Sequence, residues 1–304
     1  MQKPVIILTS LLILLVVLIG VGYWVINSQP AKSTEQLVND LKPVAKQVRY
    51  SFLVENRSDQ YIKSAQFEAF APVTSTPFQQ VIDIKSNYDY QLKQDSIGNQ
   101  SLVYALADIA PYSQKQITIE VKLDLYERQH QRFLTGLAHS QLTKSSNFIE
   151  VNHPTIKQVA ARFENKPKQE MPLVITQWLY DNIKAVDYIK EDRGALYALT
   201  HLKGDCTEFM YAFIALMRQL ESPAIGVAGF IAENKVTVLQ PANYHNWTVF
   251  KQEDSWQLSD PLNNNLEQAQ DYIAFRIMVG DNSPDFLRAQ RFYRYDKRLT
   301  VTMN

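Results

Sequence analysis

Cysteine is almost absent from this 304-residue chain, which has a single one at position 206. An internal disulfide framework and a multi-cysteine zinc or iron–sulfur site are therefore excluded. Net charge is absent too, because 31 Lys and Arg balance 31 Asp and Glu, so no overall field attracts a nucleic acid. Nine Gly and thirteen Pro are too few for a collagen-like or low-complexity chain. What remains is an ordinary globular composition, with room for one large domain or two modest ones.

One long apolar run lies near the N-terminus, from Val5 to Ile26, and it contains no charge. As a helix it would extend about 33 Å, which matches the hydrocarbon core of a bilayer. Lys3 precedes the run, and positive charge on that side favours export of the remaining chain. We therefore expect residues 1–28 to form a signal-anchor transmembrane helix. The alternative is a cleaved signal peptide, whose apolar core is usually only about 7–15 residues long.

Alternating apolar and polar residues dominate the stretch 43–150, which follows a short polar linker over 29–42. The clearest case runs from Ile117 to Leu125, where every second residue is aliphatic. A period of two with one polar face is typical of half-buried strands, and turn residues separate several such runs. The pattern predicts an antiparallel β-sandwich built like an immunoglobulin domain.

Beyond residue 150 the apolar period lengthens. Apolar residues between Met171 and Leu179 recur at helical spacing, and a second helix is predicted from Cys206 to Glu221, halted by Pro223. Short strands are predicted after it, over 224–230, 235–239, 247–251 and 255–258. Helices followed by antiparallel strands indicate an α+β domain over 151–304.

The segment 204–208, Gly-Asp-Cys-Thr-Glu, carries the most chemical information. Asp205 and Glu208 have the spacing of a capping box, which places Cys206 at the first position of a helix. The positive end of the helix dipole there favours thiolate over thiol. The two carboxylates oppose this effect, so an ionised thiol requires a basic partner. Without one, a lone cysteine on a helix is usually a small buried apolar residue.

Five histidines are candidates for that partner, and two of them have a suitable position. His201 precedes Cys206 by five residues, and His245 begins an alternating strand, from which its imidazole can face a cleft beside the helix. Asp260 follows a later strand and is well placed to orient an imidazole and fix its tautomer. The other three histidines fall in the sandwich region or in the connection after it: His130, His139 and His153.

Three short motifs, GDC at a helix start and then HNW and SDP, resemble the core of the transglutaminase-like superfamily over roughly 155–265. Arg193-Gly194-Ala195 and Met217-Arg218 stand in the flanking positions of that family. The resemblance implies a papain-like fold. It also implies that Cys206 is the nucleophile, that His245 is the general base and acid, and that Asp260 orients His245.

The activity that this resemblance implies is that of a thiol hydrolase or acyltransferase, which cleaves or transfers peptide or glutamine-type amides through a thioester. We expect hydrolysis, as in a cysteine protease or amidase, because lysine amines with a pKa near 10.4 are almost all protonated at neutral pH and water is abundant. The chain has no acidic calcium-binding loop, so neither a metal nor a cofactor is expected.

The expected partners are a protein or peptide substrate and, through the N-terminal helix, a membrane; no nucleic acid is expected. With the family resemblance, the anchor implies a bacterial envelope protein whose catalytic domain lies on the periplasmic side of the inner membrane. Two alternatives stay open. One is a non-catalytic binding module that combines the sandwich with a degenerate transglutaminase-like domain; the other is a structural thiol that pairs with no histidine.

Overall fold

The computed structural model describes residues 42–188, 190–266, 268–279 and 291–304. The signal-anchor helix expected over 1–28, and all but the last residue of the linker expected over 29–42, lie outside these residues. Within the described part of the chain, no helix is long and apolar enough to span a bilayer.

The described elements are mostly strands. The first seven strands are β1 (Val44–Asn56), β2 (Ile62–Ala71), β3 (Ser75–Thr76), β4 (Gln79–Ser86), β5 (Gln91–Gln94), β6 (Gln100–Ile109) and β7 (Gln114–Leu125). The helices are α1 (His139–Thr143), α2 (Pro154–Ala160), α3 (Met171–Asn182), α4 (Gly194–His201) and α5 (Cys206–Gln219). The later strands are β8 (Lys184–Ala185), β9 (Lys203–Gly204), β10 (Ala224–Ile231), β11 (Val236–Val238), β12 (Tyr244–Gln252), β13 (Ser255–Asp260), β14 (Asn265–Leu266), β15 (Tyr272–Met278), β16 (Phe292–Arg294) and β17 (Leu299–Met303).

Two sheets enclose one apolar core in the N-terminal half. The first has the strand order β11-β1-β7-β4-β3, with β17 also paired to β1, and the second has the order β16-β2-β6-β5. In β7 the aliphatic residues from Ile117 to Leu125 are buried while the polar residues between them are more exposed, as the alternation predicts. Buried residues of both sheets belong to the same cluster. The antiparallel sheets predicted for this stretch are therefore present.

The third sheet, β14-β13-β12-β10-β15, is antiparallel and carries α5 against it. This helix begins at Cys206, as predicted, and ends two residues before the predicted end. Nearly all of its side chains are buried, and Phe213 packs on Phe250 of β12 with ring centroids 5.6 Å apart. A helix that is apolar on most sides belongs at the centre of a domain. The fold thus fixes α5 tightly, with its first residue at one end of the sheet.

Strand pairing crosses from one half of the chain to the other. β11 pairs in parallel with β1, β17 pairs antiparallel with β1, and β16 pairs antiparallel with β2. The sheets predicted from 43–150 therefore incorporate three strands from the stretch 151–304. A periodic pattern within one strand does not show which distant strand will pair with it, so these three pairings were not predicted. The predicted domain boundary at residue 150 stays a prediction.

Two buried side-chain amides hold the edge strand β15 against the N-terminal half. Gln79 accepts a hydrogen bond from the N–H of Ala274 at 2.8 Å and donates one to its carbonyl at 3.1 Å. Asn99 does the same for Ile277, at 2.6 and 3.1 Å. Each amide thus occupies the place of a neighbouring strand, and because buried backbone groups must be paired, the contacts fix the position of β15.

Candidate active site

The first turn of α5 is stabilised by a capping box. The side chain of Asp205, the N-cap residue, accepts the N–H of Thr207 at 2.8 Å, and Glu208 accepts the N–H of Asp205 at 3.2 Å. The predicted cap is therefore confirmed. Its contacts use the N–H groups of 205, 207 and 208, which leaves the N–H of Cys206 outside the cap and available to a ligand.

His245 connects the cysteine to a carboxylate. It is the second residue of β12 and is 9% exposed. Its Nε2 lies 2.7 Å from Oδ2 of Asp260, and the side chain of Cys206 is close enough to the imidazole to raise its pKa. With Nε2 engaged by the carboxylate, Nδ1 is the ring nitrogen left for the sulfur. The structure thus brings together the three residues predicted from sequence.

The surroundings of His245 favour its protonated form. Burial lowers its pKa, but hydrogen bonds and charge interactions with Asp260 and Cys206 outweigh burial and raise the pKa to about 10. The imidazole is therefore charged at neutral pH.

Asp260 ends β13 and is fully buried. Besides His245, its Oδ2 accepts hydrogen bonds from the hydroxyl of Tyr272 at 2.8 Å and from the side-chain amide of Asn263 at 2.7 Å. Three donors compensate for the cost of burying a carboxylate. Sequence reasoning missed both Tyr272 and Asn263. Asn263 was the easier to find, since it lies only three residues after Asp260, whereas Tyr272 comes from β15, which β12 and β10 separate from β13 in the sheet.

A match to a known family covers this site. The family model for the transglutaminase-like superfamily matches residues 157–261, a segment that contains Cys206, His245 and Asp260. The chain carries a transglutaminase-like domain. The resemblance in its short motifs is thereby confirmed for this segment. No curated protein shows a significant match to the sequence.

Solved structures with a related fold include a candidate cysteine protease from Cytophaga hutchinsonii, at 15% identity and a TM-score of 0.56, over 86% of this chain and 91% of that one. The likeness shows a shared fold that extends beyond the transglutaminase-like domain. The periplasmic domain of TgpA from Pseudomonas aeruginosa, bound to ethylmercury, is a more distant match. It has 15% identity and a TM-score of 0.38, over 71% of this chain and 90% of that one.

The remaining histidines make other contacts. The ring of His201, the alternative partner considered for Cys206, packs against Tyr197 at 4.6 Å within α4. His153 caps α2 by accepting the N–H of Thr155, and His130 bonds to the carbonyl of Pro77. Among the described residues, no group of three or more His, Cys, Asp and Glu side chains is arranged to hold a metal ion.

Proposed function

We propose that this protein is a thiol enzyme in which Cys206 attacks an amide carbonyl, His245 moves the proton, and Asp260 orients His245. The observation that carries the proposal is the position of the imidazole, whose Nε2 lies 2.7 Å from Asp260 and whose protonated form is also stabilised by Cys206. A nucleophile, a base within hydrogen-bond reach and a third group that orients the base are the parts required for covalent catalysis.

In the first step the thiolate sulfur of Cys206 forms a bond to the carbonyl carbon. The N–H of Cys206, which the helix cap leaves unused, can donate to the oxyanion that develops, and one such donor typically contributes about 3–4 kcal/mol. The imidazolium of His245 then protonates the departing nitrogen, so the C–N bond breaks and a thioester remains. The buried carboxylate of Asp260 keeps the ring oriented during both proton transfers.

In the second step a water molecule attacks the thioester, with neutral His245 accepting its proton. Acylation removes the negative sulfur that helped to hold the proton on the imidazole, so the ring can now act as a base. Water prevails over amine acceptors because a lysine amine is mostly protonated at neutral pH. We therefore favour hydrolysis of a protein or peptide substrate over cross-linking. Membrane attachment through residues 1–28 and a periplasmic location belong to the same proposal.

Alkylation of the cysteine by iodoacetamide tests the thiolate–imidazolium pair. Cys206 is the sole cysteine of the chain, so every alkylation event reports on this site. At pH 7, where a free thiol is mostly protonated, the wild type should react much faster than His245→Ala, and Asp260→Asn should fall between them. Equal rates in all three, at the rate of a free thiol, would instead favour the non-catalytic binding module or the structural thiol.

Trapping of the thioester tests the chemistry itself. A library of amide substrates is incubated with the protein, which is then quenched with acid and measured by mass spectrometry. Wild type should gain the mass of an acyl group at Cys206, and His245→Ala should gain less because the leaving nitrogen lacks its proton donor. Cys206→Ser is the matched control for labelling elsewhere on the chain.

A further inference from the structure

One buried carboxyl group joins two separate segments behind the candidate nucleophile. Glu208, in the first turn of α5, is 0% exposed. One of its oxygens accepts the N–H of Asp205 at 3.2 Å, and the other accepts the N–H of Arg193 at 3.0 Å. The first N–H belongs to the residue directly before Cys206. The second belongs to the residue directly before α4, so this contact reaches beyond the helix cap.

A second contact from the same helix strengthens this link. Tyr211 lies on the same side of α5 as Glu208, one turn further on, and its hydroxyl donates to Asp192 at 2.8 Å. Asp192 and Arg193 are therefore both held by side chains of the cysteine helix. Val186 is held beside the start of the same helix, because its N–H donates to the carbonyl of Gly204 at 3.0 Å.

The bridging contacts are strongest with an ionised carboxylate at position 208. Each oxygen accepts a main-chain N–H, and protonation would place a hydrogen on one oxygen and weaken it as an acceptor for the N–H that it faces. Burial raises the pKa of Glu208 to about 7, and the charge of Asp205 acts in the same direction, although the N–H groups of Arg193 and Asp205 oppose the shift. Ionised and protonated Glu208 are therefore both populated near neutral pH, so the bridge that its carboxyl group forms between Asp205 and Arg193 depends on pH in this range.

We propose that Glu208 is a positioning residue, whose ionised carboxylate fixes the backbone of Asp205 and Arg193 and thereby keeps Cys206 within reach of His245. The inference rests on the proposed function. The other titratable groups next to this carboxylate are Asp205 and Cys206 at the start of the helix, Tyr211 one turn on, and Asp192 and Arg193 directly before α4. Glu150 contacts the first turn of α4, where it accepts the N–H of Leu196.

The experiment compares wild type, Glu208→Gln and Tyr211→Phe by the rate of iodoacetamide alkylation between pH 6 and 8.5. The wild-type rate should fall as the pH drops through about 7, because Glu208 takes up a proton and the bridge opens. Glu208→Gln cannot titrate, so it should lack this step and react about tenfold more slowly than wild type at pH 8. Tyr211→Phe loses the contact to Asp192 but retains the titrating carboxyl group, so the step should persist. A Glu208→Gln profile identical to that of wild type would overturn the proposal, as would loss of the step in Tyr211→Phe.

Amide hydrogen exchange separates this proposal from the proposed function. The N–H groups of Arg193 and Asp205 should exchange faster in Glu208→Gln than in wild type, whether or not the site is catalytic, and unchanged protection would overturn the bridge. If His245→Ala were alkylated as fast as wild type while exchange rose in Glu208→Gln, the proposed function would fall but the structural bridge would stand.

Discussion

The side-chain amide of Asn246 donates a hydrogen bond to the hydroxyl of Thr207 across 2.9 Å. Asn246 directly follows His245 in β12, and Thr207 directly follows Cys206 in α5. Both residues are buried, at 4% and 9% exposure. This bond therefore links β12 to α5 directly beside His245 and Cys206, and it limits how far the imidazole and the sulfur can move apart.

We predict that breaking this bond slows alkylation of Cys206 without unfolding the protein. Asn246→Ala and Thr207→Val each remove one partner, and Thr207→Ser, which keeps the hydroxyl, is the control. Because both single changes abolish the same contact, the double variant should be little slower than either one, with a coupling of about 1 kcal/mol in the double-mutant cycle. Strictly additive effects on the alkylation rate would show that the bond does not align the two groups.

A second prediction concerns the protonation of His245. Its pKa is raised to about 10, because Asp260 and Cys206 outweigh the burial that lowers it, so its ring should stay protonated in an NMR titration long after an exposed histidine has lost its proton. His130 provides an internal control, since burial lowers its pKa despite the hydrogen bond to Pro77. The measured pKa of His245 should therefore lie above the ordinary value near 6.5, and that of His130 should lie below it. A His245 signal that titrates near that value would contradict the prediction.

The same shift predicts how stability depends on pH. A histidine whose pKa is higher in the folded state stabilises the fold fully below about pH 6.5, and this contribution is lost as the pH rises through about 10. The free energy of unfolding, measured with urea between pH 6 and 10, should fall more steeply for wild type than for Asp260→Asn, which lacks the charge that raises the pKa. If the unfolding free energies of the two proteins fell in parallel with pH, the loss of stability would come from groups other than His245.

A fourth prediction concerns Arg218 near the end of α5, which is 1% exposed. Its guanidinium donates to the carbonyl of Ala224 at 2.9 and 2.7 Å, and to those of Lys144 and Val279 at 2.8 Å each. Burial lowers its pKa to about 10, so it remains charged at pH 7. Lysine cannot serve three carbonyls in this fork geometry. Arg218→Lys should therefore lower the free energy of unfolding by about 2–4 kcal/mol, because buried acceptors are left unpaired.

The sequence predicted local features of the fold and of the candidate site well. The capping box needs only two residues three positions apart, and the alternation from Ile117 to Leu125 needs only one strand, so both were visible without a structure. The order of Cys206, His245 and Asp260 was also visible, through the family resemblance. Each of these predictions depends on neighbouring residues or on short motifs.

Contacts between distant elements could not be predicted. Tyr272 of β15 reaches Asp260 of β13 although β12 and β10 lie between the two strands in the sheet, and Arg218 joins three chain segments through their carbonyls. A periodic pattern indicates which face of an element is buried but not which element covers it. The same limit explains why the pairing of β17 with β1 was not predicted.

The last prediction concerns Gly204, which lies directly before the helix cap. A Cβ at this position would lie 2.3 Å from Cβ of Glu208, an atom fixed by the helix backbone. The Gly204→Ala variant must therefore displace Glu208 and weaken its contact with Arg193. We expect a loss of about 2 kcal/mol in unfolding free energy, as is typical of overpacking, together with slower alkylation of Cys206. Gly136→Ala is the matched control, since a Cβ there meets nothing within 4 Å. If both variants kept wild-type stability and alkylation rates, close packing at Gly204 would not be what holds the helix start in place.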